Sequence, residues 1–411
     1  MDESSMTGVK DMNKVAQLAE KINAKTVFQG DTKQHASVAA GQAFLQMQAI
    51  KANTSEILET RRFNDASPQT KRAIVLMKKG KYKEAIETLD KTKVQRNDEL
   101  ASVTAQRFWQ NLQDLRVKNI HDPKVGVVTV TNADRKEINA EISLLLRGHG
   151  EIGKEKFVKD HLGNAQLTEV EQKFAAILKD KHIDQIHFRK DYKEIGVTKG
   201  DTITVVGFDV GKNRVFGVNS KGEKISFNPK QNDYFDARIL EKREYSVGHD
   251  VEARGIIRLE KKMEIANGSI GKITAIDENG AKVKWSANGL ETQLTNEQMR
   301  YLDLGYARTT QKEQGATNHV EIFAVSSTGA NVSDKSGQYV ALTRAKQNIE
   351  IVTSSYETLL QRAGKTVDKT SAYEIAYSKD AISLHLDRSK TIATPEKTLT
   401  KDKNIGIQQS R

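Results

Sequence analysis

Apolar positions recur at helical spacing near the start of the chain, at Val15, Leu18, Ala19 and Ile22, which predicts a helix within residues 9 to 24. Thr26 to Gln29 then reads as a short strand running into Gly30, the end of an α/β unit. From Ser37 to about Ile120 the pattern stays helical. Phe44, Leu45 and Met47 mark one segment there, and Ile74, Leu76, Met77, Ala85, Ile86 and Leu89 mark a later pair of helices parted at Gly80. Val125 to Thr131 is a β-branched run that fits a buried strand, and Asn132 stands where it would cap a helix carrying Ile138, Ile142 and Leu145.

After a helix predicted over 168 to 180 the texture changes. Between about His187 and Leu294 short alternating runs are punctuated by glycine: Thr202 to Gly207, Val215 to Val218, Lys224 to Phe227, Ile270 to Ile276 and Ala281 to Trp285. Such spacing predicts a small antiparallel β-module. Val320 to Val325 and Ile349 to Thr353 then read as strands, with Tyr339 to Lys346 as the start of a helix between them. A β-module therefore interrupts an α/β domain. Beyond about Arg388 the chain is rich in Lys, Thr and Ser, and a disordered basic tail is expected. No internal repeat is evident.

With 411 residues, the chain is long enough for two to four domains, and its mean hydropathy is −0.61. No run of about 18 apolar residues exists to span a bilayer, and Met1 is followed by Asp2 and Glu3 rather than by a secretory signal pattern. A cytoplasmic protein without a membrane partner is expected. Cysteine is absent, which removes disulfides, thiol nucleophiles and the usual structural zinc sites, and none of the nine histidines pair at metal-ligand spacing. A net charge of +11 favours a polyanionic partner, with nucleic acid ahead.

Candidate chemistry begins at Asp2 and Glu3. An acidic pair at a strand end holds Mg²⁺ and orients an attacking water in phosphate-cleaving sites, although such a pair by itself is more often solvated charge. Gly30, Asp31, Thr32, Lys33 and Gln34 at the tip of the next strand would bring a second strand end to the same place. In isolation that segment is equally a Gly-Asp turn.

Taken in order, these segments resemble a known family. DESSMTG, then GDTKQ with SVAAGQAF behind it, is similar to motifs II and III of superfamily 1B DNA helicases, the group containing RecD. ILETRRF at 57 to 63 resembles the motif with a γ-phosphate arginine, and VTVTNADRKEINAEI at 128 to 142 resembles the next strand and helix of the second motor domain. YARTTQKEQGAT at 306 to 317 resembles motif V, and YVALTRAK at 339 to 346 motif VI. The β-rich interruption, with DYKEIGVTKGDTITVVGFD, GEKISFNP and an Asn267-Gly268 turn, is similar to the insertion of conjugative relaxase-helicases of the TraI or MobF kind.

The resemblance implies an α/β fold of two RecA-like motor domains, the first truncated at its amino end, with an inserted small antiparallel, SH3-like module. It places the truncated first domain at 1–120, the second at 121–190 and 301–387, the module at 191–300 and the tail at 388–411. It implies ATP and Mg²⁺ as cofactors and single-stranded DNA as partner, with 5′ to 3′ translocation. Asp2 would hold the metal and Glu3 would act as base, while Gln34 would sense the γ-phosphate beside Gly30 and Asp31. Arg62 and Arg344 would donate to the transferring phosphoryl group. Thr309, Thr310 and Lys312 would touch the DNA backbone, and Gln314, Gly315 and Thr317 would connect that contact to the nucleotide cleft. Trp285, Tyr301 and Tyr306 are candidates for base stacking, though aromatic residues near strands are more often core.

The sequence also departs from this pattern. No GxxxxGK[ST] loop is present; Gly364-Lys365-Thr366 comes nearest, yet has no glycine at 359 and follows motif VI. The chain thus reads as amino-terminally truncated, with helix faces around Val38, Phe44 and Leu45 short of a partner. Tyr192, Tyr234 and Tyr245 have no histidine triad nearby, so DNA nicking is not expected. Two functions remain open: the carboxyl part of an ATP-dependent helicase working with a separately encoded amino-terminal piece, or an ATP-independent single-stranded-DNA-binding fragment, with a decayed remnant as the bland alternative.

Overall fold

The computed structural model describes residues 1–37, 42–49, 52–57, 61–259 and 263–366. Val38 and the rest of 38–41 in SVAAGQAF, 58–60 in ILETRRF, and the expected tail at 388–411 lie outside the described residues.

A 3-10 turn, Ser4–Met6, leads into helix α1 (Val9–Lys21). Thr26 to Gln29, expected as a strand, is not part of a ladder. It lies beside the first residues instead: the Met1 amino group donates to the Val27 carbonyl at 2.6 Å, Gln29 N to the Met1 carbonyl at 2.9 Å, and Ser4 N to the Gln29 carbonyl at 2.8 Å. These bonds step along the two segments as in a parallel pair, too few to make a ladder. The two segments run out together, at the acidic pair and at Gly30.

Helix α2 (Ala43–Ala49) and the 3-10 turn Arg61–Phe63 precede α3 (Pro68–Lys78) and α4 (Tyr82–Thr88). Ser67 caps α3 by accepting from Thr70 N, and Pro68 occupies the first turn, where no amide hydrogen is required. Gly80 takes a φ of +79° between α3 and α4. The pattern predicts helix through Ile120, but Asp90–Lys93 forms strand β1. Its residues, DKTK, carry no apolar alternation because β1 is an exposed edge strand, and lysines there discourage further pairing. Helix α5 (Asn97–Val117), strand β2 (Val125–Thr129) and helix α6 (Asn132–Gly148) follow. The cap of α6 is Thr131 rather than Asn132: the Thr131 hydroxyl accepts from Asp134 N at 3.1 Å.

The antiparallel part contains two sheets. Strands β3 (Phe157–Asn164), β4 (Gln185–Phe188), β5 (Thr202–Asp209), β6 (Arg214–Asn219), β7 (Lys224–Phe227) and β8 (Phe235–Tyr245) form the first, with helix α7 (Ala175–Asp180) against it. Its order is β3-β8-β4-β5-β6-β7, and Phe188, Phe227 and Phe235 meet edge-to-face in its core. The helix predicted over 168 to 180 is confined to a 3-10 turn and α7. Next come β9 (Asp250–Ala253), the ribbon β10 (Ile257–Arg258) and β11 (Glu264–Ile265), then β12 (Ile270–Ile276), β13 (Gly280–Trp285), β14 (Glu291–Thr295), the short helix α8 (Asn296–Met299) and β15 (Leu302–Leu304). The second sheet is ordered β14-β13-β12-β9-β15.

The chain then returns to the parallel sheet through β16 (Ala307–Thr309), α9 (Thr310–Glu313), β17 (Asn318–Val325), α10 (Ser327–Val332), α11 (Lys335–Ala341), β18 (Ala345–Thr353) and α12 (Tyr356–Gln361). All neighbours in β1-β18-β17-β2-β16 run parallel, so the fold is mixed α/β around a parallel sheet. Both faces are covered, as such sheets require. Val127, Ile322 and Ala324 pack with Leu100 of α5 and Ile138 of α6, whereas Val128, Phe323 and Val325 pack with Ile74 of α3 and Ile86 of α4. Tyr339 to Lys346 does not begin a helix. It holds the end of α11 and the turn into β18, because the Thr343 hydroxyl bonds back to the Tyr339 carbonyl at 2.6 Å and ends the helix. Among the described residues no helix is long and apolar enough to cross a membrane.

Trp285 and Tyr306 are core residues. The Trp285 indole donates to Thr292 Oγ1 at 2.8 Å, and the Tyr306 hydroxyl oxygen accepts from Asp250 N at 3.2 Å. Tyr301, half-buried, lies under Arg238.

One buried ion cluster ties the three sheets together. Asp303 of β15 accepts from Nε of Arg243 of β8 at 2.9 Å and forms an ion pair with Arg135 of α6, also at 2.9 Å, with His161 of β3 at 3.7 Å. The cationic surroundings hold Asp303 well below the ordinary carboxylate range despite burial. Burial pushes His161 down to about 4, and burial then Arg147 do the same to His249. His249 Nδ1 accepts from Ser246 N at 2.9 Å, so its Nε2 carries the hydrogen and donates to Ser143 Oγ at 2.8 Å. Asp303→Ala should cost about 3–5 kcal/mol in urea denaturation, because the buried Arg135 guanidinium loses its carboxylate while the half-buried Arg243 keeps Glu241. Between pH 6.5 and about 4 the unfolded chain binds protons at His161 and His249 that the folded chain refuses. Denaturation measured across pH should therefore show stability falling as pH falls through that window, by on the order of 3 kcal/mol per histidine, with no such contribution above it.

Candidate functional site

Glu3 caps the opening 3-10 turn with φ 49° and ψ 38°, a left-handed conformation that costs a non-glycine residue energy and is concentrated at functional positions. Its Oε2 accepts from Nε2 of Gln314 at 2.8 Å, a contact between residues 311 positions apart. Asp2 is exposed, and its Oδ1 accepts from Glu3 N at 2.8 Å. Behind them Ser4 and Ser5 are buried, and Ser4 Oγ donates to the Met1 carbonyl at 2.8 Å. Gly30 passes so close that a Cβ there would stand 2.9 Å from Ser5 N.

Asp31, next to Gly30, organises the second strand end. It accepts from Lys33 N at 2.9 Å and from Gln34 Nε2 at 3.3 Å, and it acts electrostatically on Tyr339 of α11. Burial and then Asp31 raise Tyr339, and the same two causes push Tyr82 up to about 12. Gln34 Oε1 and Gln314 Oε1 are both buried without a hydrogen-bond partner among the described residues.

Two arginines face this edge. Arg62 donates from Nη1 to the Thr343 carbonyl at 2.9 Å; burial lowers its pKa, opposed by Glu3 and then Tyr339. Arg344, only 2% exposed, sits in the turn between α11 and β18 and donates from Nε to the Val340 carbonyl at 3.2 Å. Burial lowers it, Arg62 lowers it further, and Glu321, Glu3 and Glu313 oppose. Among the described residues neither arginine makes a salt bridge. Glu3, Arg62 and Arg344 thus act electrostatically on one another, Gln314 bonds Glu3, and Asp31 beside Gly30 holds Gln34.

The segment after β16 leads to Gln314. Thr309 is half-exposed at the start of α9, whereas Thr310 is buried at 6% exposure. Lys312 is half-buried and donates to Asn267 Oδ1 at 2.9 Å; burial lowers its pKa, against Glu252. Gly315 takes a φ of +88°, which turns the chain sharply from Gln314 toward β17. Beneath lie Glu313 and Glu321, which the sequence reading passes over. Asn318 Nδ2 donates to both, at 2.8 and 2.7 Å, and burial raises both carboxyls. The only sequence signal for Glu321 is a glutamate inside the otherwise apolar strand HVEIFAV. Among the described residues no group of three acidic or histidine side chains is placed to hold a metal ion by itself.

Comparison with known proteins bears on this arrangement. The AAA domain family matches residues 1–98. Two forms of the multifunctional conjugation protein TraI of Escherichia coli are similar in sequence; that of strain K12 is 22% identical over 418 residues, covering 91% of this chain and 23% of the relative. The chain thus spans about a quarter of the length of the curated relatives it matches. Among solved structures, two coordinating Pif1 helicases at forked double-stranded DNA give 14% identity, 92% and 74% coverage of the two chains and a TM-score of 0.45. Pif1 helicase from Candida albicans gives 13%, 95% and 76%, and 0.36.

Gly30→Ala should push the Ser4–Met6 turn away from residues 27–30. We expect a loss of about 1–3 kcal/mol in urea denaturation and faster hydrogen exchange at the Ser4 amide.

Proposed function

We propose, from the premise that this chain is a superfamily 1B helicase region, that it forms the acidic edge and the arginine side of the nucleotide cleft in an ATP-driven, 5′ to 3′ DNA motor of the conjugative relaxase type. The observation that carries this reading is the meeting of Glu3 with Gln314 at 2.8 Å, beside Arg62 and Arg344. In this reading the segments around Glu3 and Gly30 belong to the first motor lobe, and the parallel sheet, with β1 in it and α3, α4 and α5 packed on it, to the second.

A buried guanidinium, Arg344, and a half-buried one, Arg62, neither in a salt bridge among the described residues, form a site short of an anion, and a triphosphate supplies one. Mg²⁺ held by Asp2 and the phosphates would supply charge neutralisation; such an ion keeps several waters, so one exposed carboxylate suits it. Glu3 exchanges its bond to Gln314 for the attacking water and takes the proton. Gln34, held by Asp31 beside Gly30, orients the γ-phosphate end, where its orphaned Oε1 is satisfied. Arg62 and Arg344 donate to oxygens whose charge grows in the transition state. Gln314 and Gly315 pass the closure of the cleft to Thr309 and Lys312, which reach the backbone of single-stranded DNA, with Thr310 packed beneath. No GxxxxGK[ST] loop occurs in these residues, and in this reading an amino-terminal piece would supply the phosphate cradle.

Coexpression with such a piece should yield a complex whose ATP hydrolysis rises with single-stranded DNA. Arg344→Ala and Glu3→Gln in that complex should each reduce kcat by about a thousandfold or more. Undiminished rates in both variants would sink the site, and hydrolysis by the pure lone chain would refute the external loop. DNA binding in a complex without hydrolysis would leave only a binding fragment.

A further inference from the structure

Three basic side chains meet where the parallel-sheet lobe touches the five-stranded β-sheet: Lys312 from α9, Arg308 from β16 and Arg254 from the end of β9. Each arginine acts electrostatically on Lys312. Their common countercharge is Glu252, fully buried, whose Oε2 lies 3.3 Å from Arg254 Nη1 and 3.5 Å from Arg308 Nε. Arg308 also reaches Glu313 at 3.2 Å, a carboxyl that burial already drives toward its neutral form. The Lys312 ammonium has a neutral amide oxygen, Asn267 Oδ1, as its hydrogen-bond acceptor. Arg254 extends its other terminal nitrogen to within 3.4 Å of Oδ1 of Asn132, the first residue of α6.

The cluster therefore carries more positive charge than its carboxylates neutralise. A half-buried cation facing only a neutral acceptor is costly until an anion arrives. We propose that Lys312, Arg254 and Asn132 form one seat for a backbone phosphate of single-stranded nucleic acid, so that the β-module supplies half of the grip through Arg254. This rests on the DNA-binding reading of Lys312 above and extends it to the module. Lys312 acts as a point charge, the Arg254 fork meets two phosphate oxygens, and the Asn132 amide donates a third contact. The arriving phosphate replaces Asn267 at the lysine, loosening the Asn267-Gly268 turn from α9. Arg308 stays with Glu252 and Glu313 and holds the base of the seat.

Fluorescence anisotropy of a labelled oligothymidine with the full chain, across a salt series, tests this. Each phosphate neutralised on a single strand contributes about 0.7 to the slope of log affinity against log salt. Arg254→Gln should lower the slope by about that amount and weaken binding about tenfold at moderate salt, while Arg254→Lys keeps the slope. Arg258→Gln, at an exposed arginine paired with Glu264 on the neighbouring ribbon, should match the wild type. Wild-type slope and affinity in Arg254→Gln, or an equal loss in Arg258→Gln, overturns the proposal while leaving DNA binding intact. Absence of binding by the unaltered chain overturns both readings. Should Arg254→Gln fail to fold, Asn132→Asp places a carboxylate in the seat from the lobe side. It should weaken binding about tenfold at an unchanged melting temperature, and unchanged affinity there also overturns the proposal.

Discussion

The carboxylate of Asp303 is the point at which this chain becomes one body. It sits in the second antiparallel sheet, takes one guanidinium from helix α6 of the parallel-sheet lobe and another from the first antiparallel sheet, and has His161 beside it. Burying one charge among three sheets is expensive, and the cost is offset only when every partner is in place. That requirement fixes the angle at which α6 meets both sheets. Asn132 at the start of α6, and Arg254 beside it, inherit their positions from that junction.

The group around Glu3, Arg62 and Arg344 is built on a different logic. Its carboxylates and arginines are held by backbone atoms more than by one another: Arg62 on the Thr343 carbonyl, Arg344 on the Val340 carbonyl, Asp2 under the Glu3 amide. Charges positioned in this way remain free to meet a ligand. Glu3, Glu313 and Glu321 lie near enough to Arg344 to oppose the effect of its burial without forming a salt bridge to it.

Much of this was legible from residue order. The apolar cores of β2, β17 and β18, expected at 125–131, 320–325 and 349–353, followed from β-branched runs, because a parallel sheet covered on both faces writes itself as continuous apolar sequence, whereas the polar starts of β17 and β18 did not. Strand β1 was hidden because an exposed edge carries lysines, and the end of α11 was misjudged because Thr343 closes the helix through its own hydroxyl. Glycine-punctuated alternation announced the antiparallel strands, but could not say that they divide into two sheets. The motif order singled out Glu3, Arg62 and Arg344, which the fold brings within electrostatic reach of one another. Arg254 and Glu252 gave no signal, since their importance comes from neighbours brought together only by folding, as does the shared Asn318 amide between Glu313 and Glu321.

The place where the parallel sheet is interrupted has a kinetic meaning. β2 and β16 lie side by side in parallel register, yet Thr129 and its partner Thr309 are 180 residues apart in the chain. Closing so long a loop before the intervening segment has condensed would carry a large entropic penalty, and non-local pairings of this kind form slowly. Both antiparallel sheets, stitched mainly from hairpins, can assemble first and shorten the effective separation of their own ends. Pairing of the strand bearing Arg308 with β2 is therefore expected to follow the folding of the inserted sheets.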